Sequence, residues 1–163
     1  MKERRYVSRL LVILLVNERR HKKMKSKYTK EAVEQFHKAI RNDDLDTIRE
    51  LINQDKVAIT NIECIMTVQE NKLRILSYFL RTTTNIIGAL SYALNEAIRQ
   101  KNYDALKLMI IYFKENKYCY PEITLNSVIV DAIREVTRCE TNNVFDSETA
   151  LDMITFIALY YRD

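Results

Sequence analysis

The chain has 163 residues, with 47% apolar and 29% charged side chains, but one Gly (Gly88) and one Pro (Pro121). That composition fits one globular domain and excludes a disordered chain. A single Gly also excludes a Gly-rich phosphate loop, a dinucleotide fingerprint and a sheet of many tight hairpins. The net charge of +4 is unevenly placed: residues 1–30 hold eleven Lys/Arg and two acids, so the remainder is net acidic.

Residues 1–28 read as a basic and apolar arm or cap. A seven-residue run, Leu10–Val16, lies between Lys2, Arg4, Arg5, Arg9 and a second basic group that includes Arg19, Arg20, Lys22 and Lys23. Seven residues are too few to span a bilayer, and Asn17-Glu18-Arg19-Arg20 does not suit a signal cleavage site. Any membrane or nucleic-acid attachment is expected only through residues 1–30. Met24 is an alternative start, because Thr29 is a suitable helix N-cap before Glu31-Ala32-Val33.

From residue 29 to 163 the chain predicts helical hairpins. Val33, Phe36 and Ile40 form the apolar face of a first helix from about Glu31 to Arg41. Asn42-Asp43-Asp44 makes a turn, and the acidic cluster around it reads as an N-cap and an acidic first turn. A second helix presents Leu45, Ile48, Leu51 and Ile52 on one face.

The same frame recurs. Ala39-Ile40-Arg41 and its apolar stripe match Ala97-Ile98-Arg99 and its stripe 58 residues on, with a third copy between them from Thr67. The equivalent stripes are Leu73, Leu76, Phe79, Leu80, and then Tyr103, Leu106, Met109, Ile110. Thr60-Asn61-Ile62-Glu63 is a capping box opening the second unit. A fourth copy reads as broken: Ala132-Ile133-Arg134 opens it, Leu151, Ile154, Ile157 and Ala158 form its second stripe, and an insertion around Glu140–Asp146 separates them. Pro121 suits the entry to this unit. Asp146 or Ser147 suits the cap of its last helix. Small Ala39, Thr67, Ala97 and Ala132 mark where paired helices approach. The expected fold is all-α, about four stacked helix-turn-helix units near 31–55, 60–83, 90–116 and 122–161.

Phe36-His37-Lys38-Ala39-Ile40-Arg41-Asn42-Asp43-Asp44-Leu45-Asp46-Thr47-Ile48-Arg49-Glu50-Leu51-Ile52 resembles the core of the ankyrin repeat. The resemblance implies a solenoid and places His37 on the family's structural His, which ties down its neighbouring turn. Asp43, Asn71 or Lys101 stands where the family has Gly, and the Gly-Ala-Asp finger is missing. The β-hairpin fingers are therefore expected to be reduced or absent, with the lone Gly88 in the link between units two and three. Degenerate units of this kind in Lys/Asn/Ile-rich chains are similar to those of intracellular bacteria and large DNA viruses, which implies an effector or host-interaction factor.

No catalytic, cofactor or metal constellation is visible. Cys64, Cys119 and Cys139 have no CxxC or Cys/His spacing, which points to reduced thiols and a cytoplasmic compartment. Cys64 reads as core. Cys139, in a polar stretch, and His37 are the residues an unrecognised enzyme would use. The leading expectation is a non-enzymatic protein-interaction module. Its contact face would comprise Glu34, Gln35, Lys38, Glu96 and Arg99 on first helices, with Lys56, Arg81, Asn85 and Lys114 nearby.

Overall fold

The computed structural model describes residues 28–82, 86–116 and 125–162, with 86–90, 125–127 and 161–162 by backbone alone. Asn85, His21, Cys119, Pro121 and the basic arm with Arg4, Arg5, Arg19, Arg20, Lys22 and Lys23 lie outside the described residues. The described residues form eight α-helices and no strand. These are α1 (Lys30–Arg41), α2 (Leu45–Asn53), α3 (Asn61–Gln69), α4 (Leu73–Thr82), α5 (Ile86–Arg99), α6 (Tyr103–Glu115), α7 (Leu125–Thr141) and α8 (Ser147–Arg162).

They pair as four hairpins: α1–α2, α3–α4, α5–α6 and α7–α8. First helices touch in succession, α1 to α3 to α5 to α7, and second helices do so from α4 to α6 to α8. The arrangement is repeat-like, with two layers of helices and the core between them. Phe36, Phe79 and Phe113 are among its largest fully buried side chains, and the rings of Phe36 and Phe79 lie 5.8 Å apart between units one and two. No helix among the described residues is long and apolar enough to cross a membrane.

The turns explain how hairpins form without glycine. Each hairpin reverses at a residue with positive φ: Asp43 (57°), Asn71 (51°), Lys101 (54°) and Asn143 (56°). The amide of the following residue reaches back to a carbonyl in the last turn of the helix. Asp44 N donates to Ala39 O at 2.9 Å, Lys72 N to Thr67 O at 2.7 Å, Asn102 N to Ala97 O at 2.8 Å and Val144 N to Cys139 O at 2.8 Å. This is the Schellman termination of a helix, in which a left-handed residue satisfies carbonyls that the helix leaves open. Asp55 (φ 52°) ends α2 in the same way, with Lys56 N on Leu51 O at 3.0 Å. Asn and Asp enter the left-handed region more easily than other non-Gly residues, because their short polar side chains can hydrogen-bond locally. Lys101 has no such help.

The next helix starts from the same turn. Asp44 accepts from Thr47 N at 3.0 Å, Asn102 from Ala105 N at 3.0 Å and Asp146 from Thr149 N at 2.8 Å. Thr29 caps α1 through Ala32 N at 3.2 Å, and Thr60 caps α3 in the expected capping box. The acidic cluster at Asp43–Asp46 is thus the turn, cap and first helical turn that its sequence suggests.

Two expectations are corrected. Gly88 lies inside α5, not in a link, because that helix begins at Ile86. Unit four has no long insertion: α7 continues through Glu140 and Thr141, and the turn carries two additional residues, Val144 and Phe145. Phe145 is buried and lies beneath the Lys101 ammonium, 5.3 Å from the ring centroid. Cys139, and not Ala132, therefore carries the carbonyl equivalent to those of Ala39, Thr67 and Ala97. The last helix is set four residues out of the expected alignment: counted from the caps Asp44 and Asp146, Ser147 and not Leu151 corresponds to Leu45. Of the expected stripe, Ile157 is buried and Ile154 half-buried against the core, whereas Leu151 and Ala158 are exposed; Ala150 and Met153 complete the buried face.

Two measurements check this description of the turns. Lys101→Gly removes the steric cost of a Cβ at φ 54° and is expected to raise unfolding free energy by about 1 kcal/mol in urea titration. Lys101→Val is expected to lower it. The Asp44 carboxylate takes both the side-chain hydroxyl and the N–H of Thr47, which hold its pKa below the ordinary 3.8. A proton therefore binds the unfolded chain more readily. The stabilisation is present at neutral pH and lost as pH falls below 3.8 and through the lower folded value. Asp44→Asn keeps an acceptor without the titration, so its stability should fall less steeply over that range.

Candidate interaction surface

Counting from the left-handed residue of each turn places the four first helices in one frame. The positions nine, six, five and two residues earlier face away from the second-helix layer. They are Glu34, His37, Lys38 and Arg41 in α1; Ile62, Ile65, Met66 and Gln69 in α3; Tyr92, Asn95, Glu96 and Arg99 in α5; and Arg134, Thr137, Arg138 and Thr141 in α7. Each is exposed or half-buried. Ile62 and Tyr92 occupy the same place on neighbouring helices and are 51% and 54% exposed. With half-buried Ile65 and Met66 they form an apolar centre. Glu34, Lys38 and Arg41 border it on one side, and Glu96 and Arg99 on the other.

This face is held rigid by polar contacts between units. Eight residues before the turns of units two and four stand Glu63 and Glu135, both buried. Each bonds backwards to the preceding first helix. His37 Nε2 lies 3.0 Å from Glu63 Oε1, and the other Glu63 oxygen accepts from Thr60 N at 2.8 Å. The resemblance places His37 against its neighbouring turn; its ring instead reaches the capping box of the next unit. Arg99 Nε donates to Glu135 Oε1 at 2.8 Å, and Arg138 Nη1 lies 3.5 Å from the other oxygen. Between these pairs, Gln69 Nε2 donates to Glu96 Oε1 at 2.9 Å, and Glu96 also accepts from Gln100 at 2.7 Å. Buried carboxylates are tolerated because every one of these has donors.

The turns of successive units are also tied to one another. Arg74 Nη2 donates to Asp43 O at 2.9 Å. Asn102 Nδ2 reaches Val68 O at 3.3 Å and Asn71 Oδ1 at 3.2 Å.

The residues singled out in the sequence divide by place. Glu34, Lys38, Glu96 and Arg99 share the first-helix face, with Gln35 exposed beside them. Glu96 and Arg99 also join units, so they are positioning groups within the face. Lys56 is exposed in the link between α2 and α3. Arg81 lines an open cleft of about 320 Å³ with Tyr112, Glu115 and Asn116, between the C-terminal ends of α4 and α6. Lys114 donates to Tyr160 O at 3.1 Å, where a cation suits a helix C-terminus. Tyr92 and Glu135 carry no signal in the sequence taken segment by segment, and Ile62 and Glu63 are marked there only as members of a capping box. Their shared positions relative to the turns are the signal that finds them.

The reading of Cys139 as a surface thiol is corrected, and Cys64 is core as expected. Cys139 is 3% exposed, not open to solvent, and burial, then the Glu135 charge, raises its pKa. Burial pushes the Cys64 thiol up to about 12. A reactive cysteine needs the opposite shift. His37 is engaged by Glu63. Among the described residues no group of three or more His, Cys, Asp or Glu is arranged to hold a metal ion.

Comparisons with family models, curated proteins and solved structures return no match.

The contact between units three and four is testable by itself. Arg99→Met leaves buried Glu135 with Arg138 alone. It is expected to lower the unfolding free energy by about 1–3 kcal/mol in urea titration, whereas Arg134→Met, at an exposed pair, changes it little.

Proposed function

We propose that the chain is a non-enzymatic protein-interaction module of ankyrin-like helical units. Its partner docks on the outer face of the first helices. The observation that carries this reading is the pairing of Ile62 and Tyr92, exposed at one repeat position on adjacent helices. Isolated apolar residues on a surface are ordinary. Here two of them merge with Ile65 and Met66 into one patch bordered by Glu34, Lys38, Arg41 and Arg99. An apolar centre with an aromatic residue and an Arg-containing polar rim is the composition of a protein interface.

Rigidity supports the same reading. The His37–Glu63 and Arg99–Glu135 contacts fix neighbouring helices relative to one another, which reduces the ordering cost of binding. The resemblance to degenerate ankyrin units supports a host-cell protein as the partner. The raised thiols and the engagement of His37 weigh against the enzymatic alternative.

The test is a capture experiment with the full chain immobilised. The double substitution Ile62→Asp with Tyr92→Asp is compared with Glu50→Lys, an exposed change on α2. The proposal expects proteins retained by the unaltered chain and by Glu50→Lys to be lost from the double variant. Identical retention by all three contradicts it.

A further inference from the structure

The two ends of the stack differ in a way that identifies a second surface. In the second-helix layer, the fifth residue after the capping position reaches the next unit. Arg49 lies 5.5 Å from the Tyr78 ring centroid, and Lys107 lies 5.1 Å from that of Tyr160. The same place in α8 is Leu151, and it is 65% exposed. Ile154 and Ala158 follow it at helical spacing, half-buried and exposed respectively. These residues lie opposite Phe156 and Tyr160, the side on which α8 meets α6. On α7, Val130 (44% exposed), half-buried Ile133 and Thr137 lie away from Glu135, which faces α5. Together they form the outer end of unit four, where Val130, Leu151 and Ala158 are exposed, Ile133 and Ile154 are partly buried against the core, and Thr137 is the one polar side chain among them.

The outer end of unit one is polar. Gln35, at the place of Glu63 and Glu135, is exposed, and so are Glu50, Asn53 and Gln54 on the α2 side. Repeat stacks stay soluble when their terminal units present polar outer faces. The first unit does so and the fourth does not.

We propose that the end of unit four is an interface for a second copy of this chain, paired about a two-fold axis. Head-to-tail growth would set this apolar end against the polar end of unit one. Pairing the end with itself buries apolar against apolar and closes the assembly. The charges agree. Arg134 stands on the outer margin of α7, where it also pairs with Asp131 at 3.2 Å. Glu148 and Asp152 stand exposed on the outer margin of α8. A two-fold axis between the helices lays α7 of one copy over α8 of the other, so these margins meet with opposite sign. The surface is distinct from the patch around Ile62 and Tyr92.

Sedimentation velocity on the full 163-residue chain tests this. The expected result is a species of two chains, reduced to one by Leu151→Glu with the helical circular dichroism unchanged. Arg134→Glu should weaken the pairing, and adding Glu148→Arg with Asp152→Arg should restore it, a rescue that misfolding does not produce. A single chain at every concentration up to the solubility limit overturns the proposal, as does a dimer that Leu151→Glu leaves intact. So does a dimer that forms only after deletion of residues 1–27, since the arm would then be what covers this end.

Discussion

Every hairpin among the described residues depends on one backbone event, the left-handed residue that stops a first helix and allows the next to start. Four open carbonyls at a helix C-terminus need partners when that end packs against another helix. Here the amide after the left-handed residue supplies one partner, at Ala39, Thr67, Ala97 and Cys139 alike. The same few residues set the exit direction of the chain, and in three of the four turns a side chain caps the following helix. Asp43, Asn71 and Asn143 carry this conformation at modest cost, and Lys101 carries it at greater cost.

Equivalent turns place equivalent side chains side by side, and the surface follows from that. Ile62 and Tyr92 stand at one position on adjoining helices because α3 and α5 enter their turns in the same frame. Glu63 and Glu135 likewise meet His37 and Arg99 of the preceding units. Buried carboxylates contribute less to stability than their number of contacts suggests, since desolvation opposes each one. Their role here is positional: they hold α1 against α3 and α5 against α7, on either side of the patch, while Gln69 and Glu96 join α3 to α5 across it.

Much of the fold is legible in the residues. Thr29 and Thr60 mark helix starts through their hydroxyls, and the stripe of Leu45, Ile48 and Leu51 repeats in α4 and α6. The shortage of glycine is legible too, because Asp43, Asn71 and Lys101 stand at the turns in its place. Unit four is misread for a physical reason. Its first helix is longer, and Val144 and Phe145 lengthen its turn, so alignment on Ala132 and Leu151 misplaces both helices of the unit, the last by four residues. A polar stretch around Cys139 reads as surface, but its polarity lies on one side of α7 while the cysteine lies on the other. The candidate surface is less legible than the fold. Glu96 and Arg99 read as free contact residues because lateral neighbours from other units do not show in a single segment.

Hydrogen exchange at four amides reads these turn bonds one by one. The N–H groups of Asp44, Lys72, Asn102 and Val144 each donate across a turn to the preceding helix. The account predicts that all four are protected, exchanging only when their hairpins open. Exchange at these amides as fast as in an unstructured peptide, while the flanking helices remain protected, would contradict it.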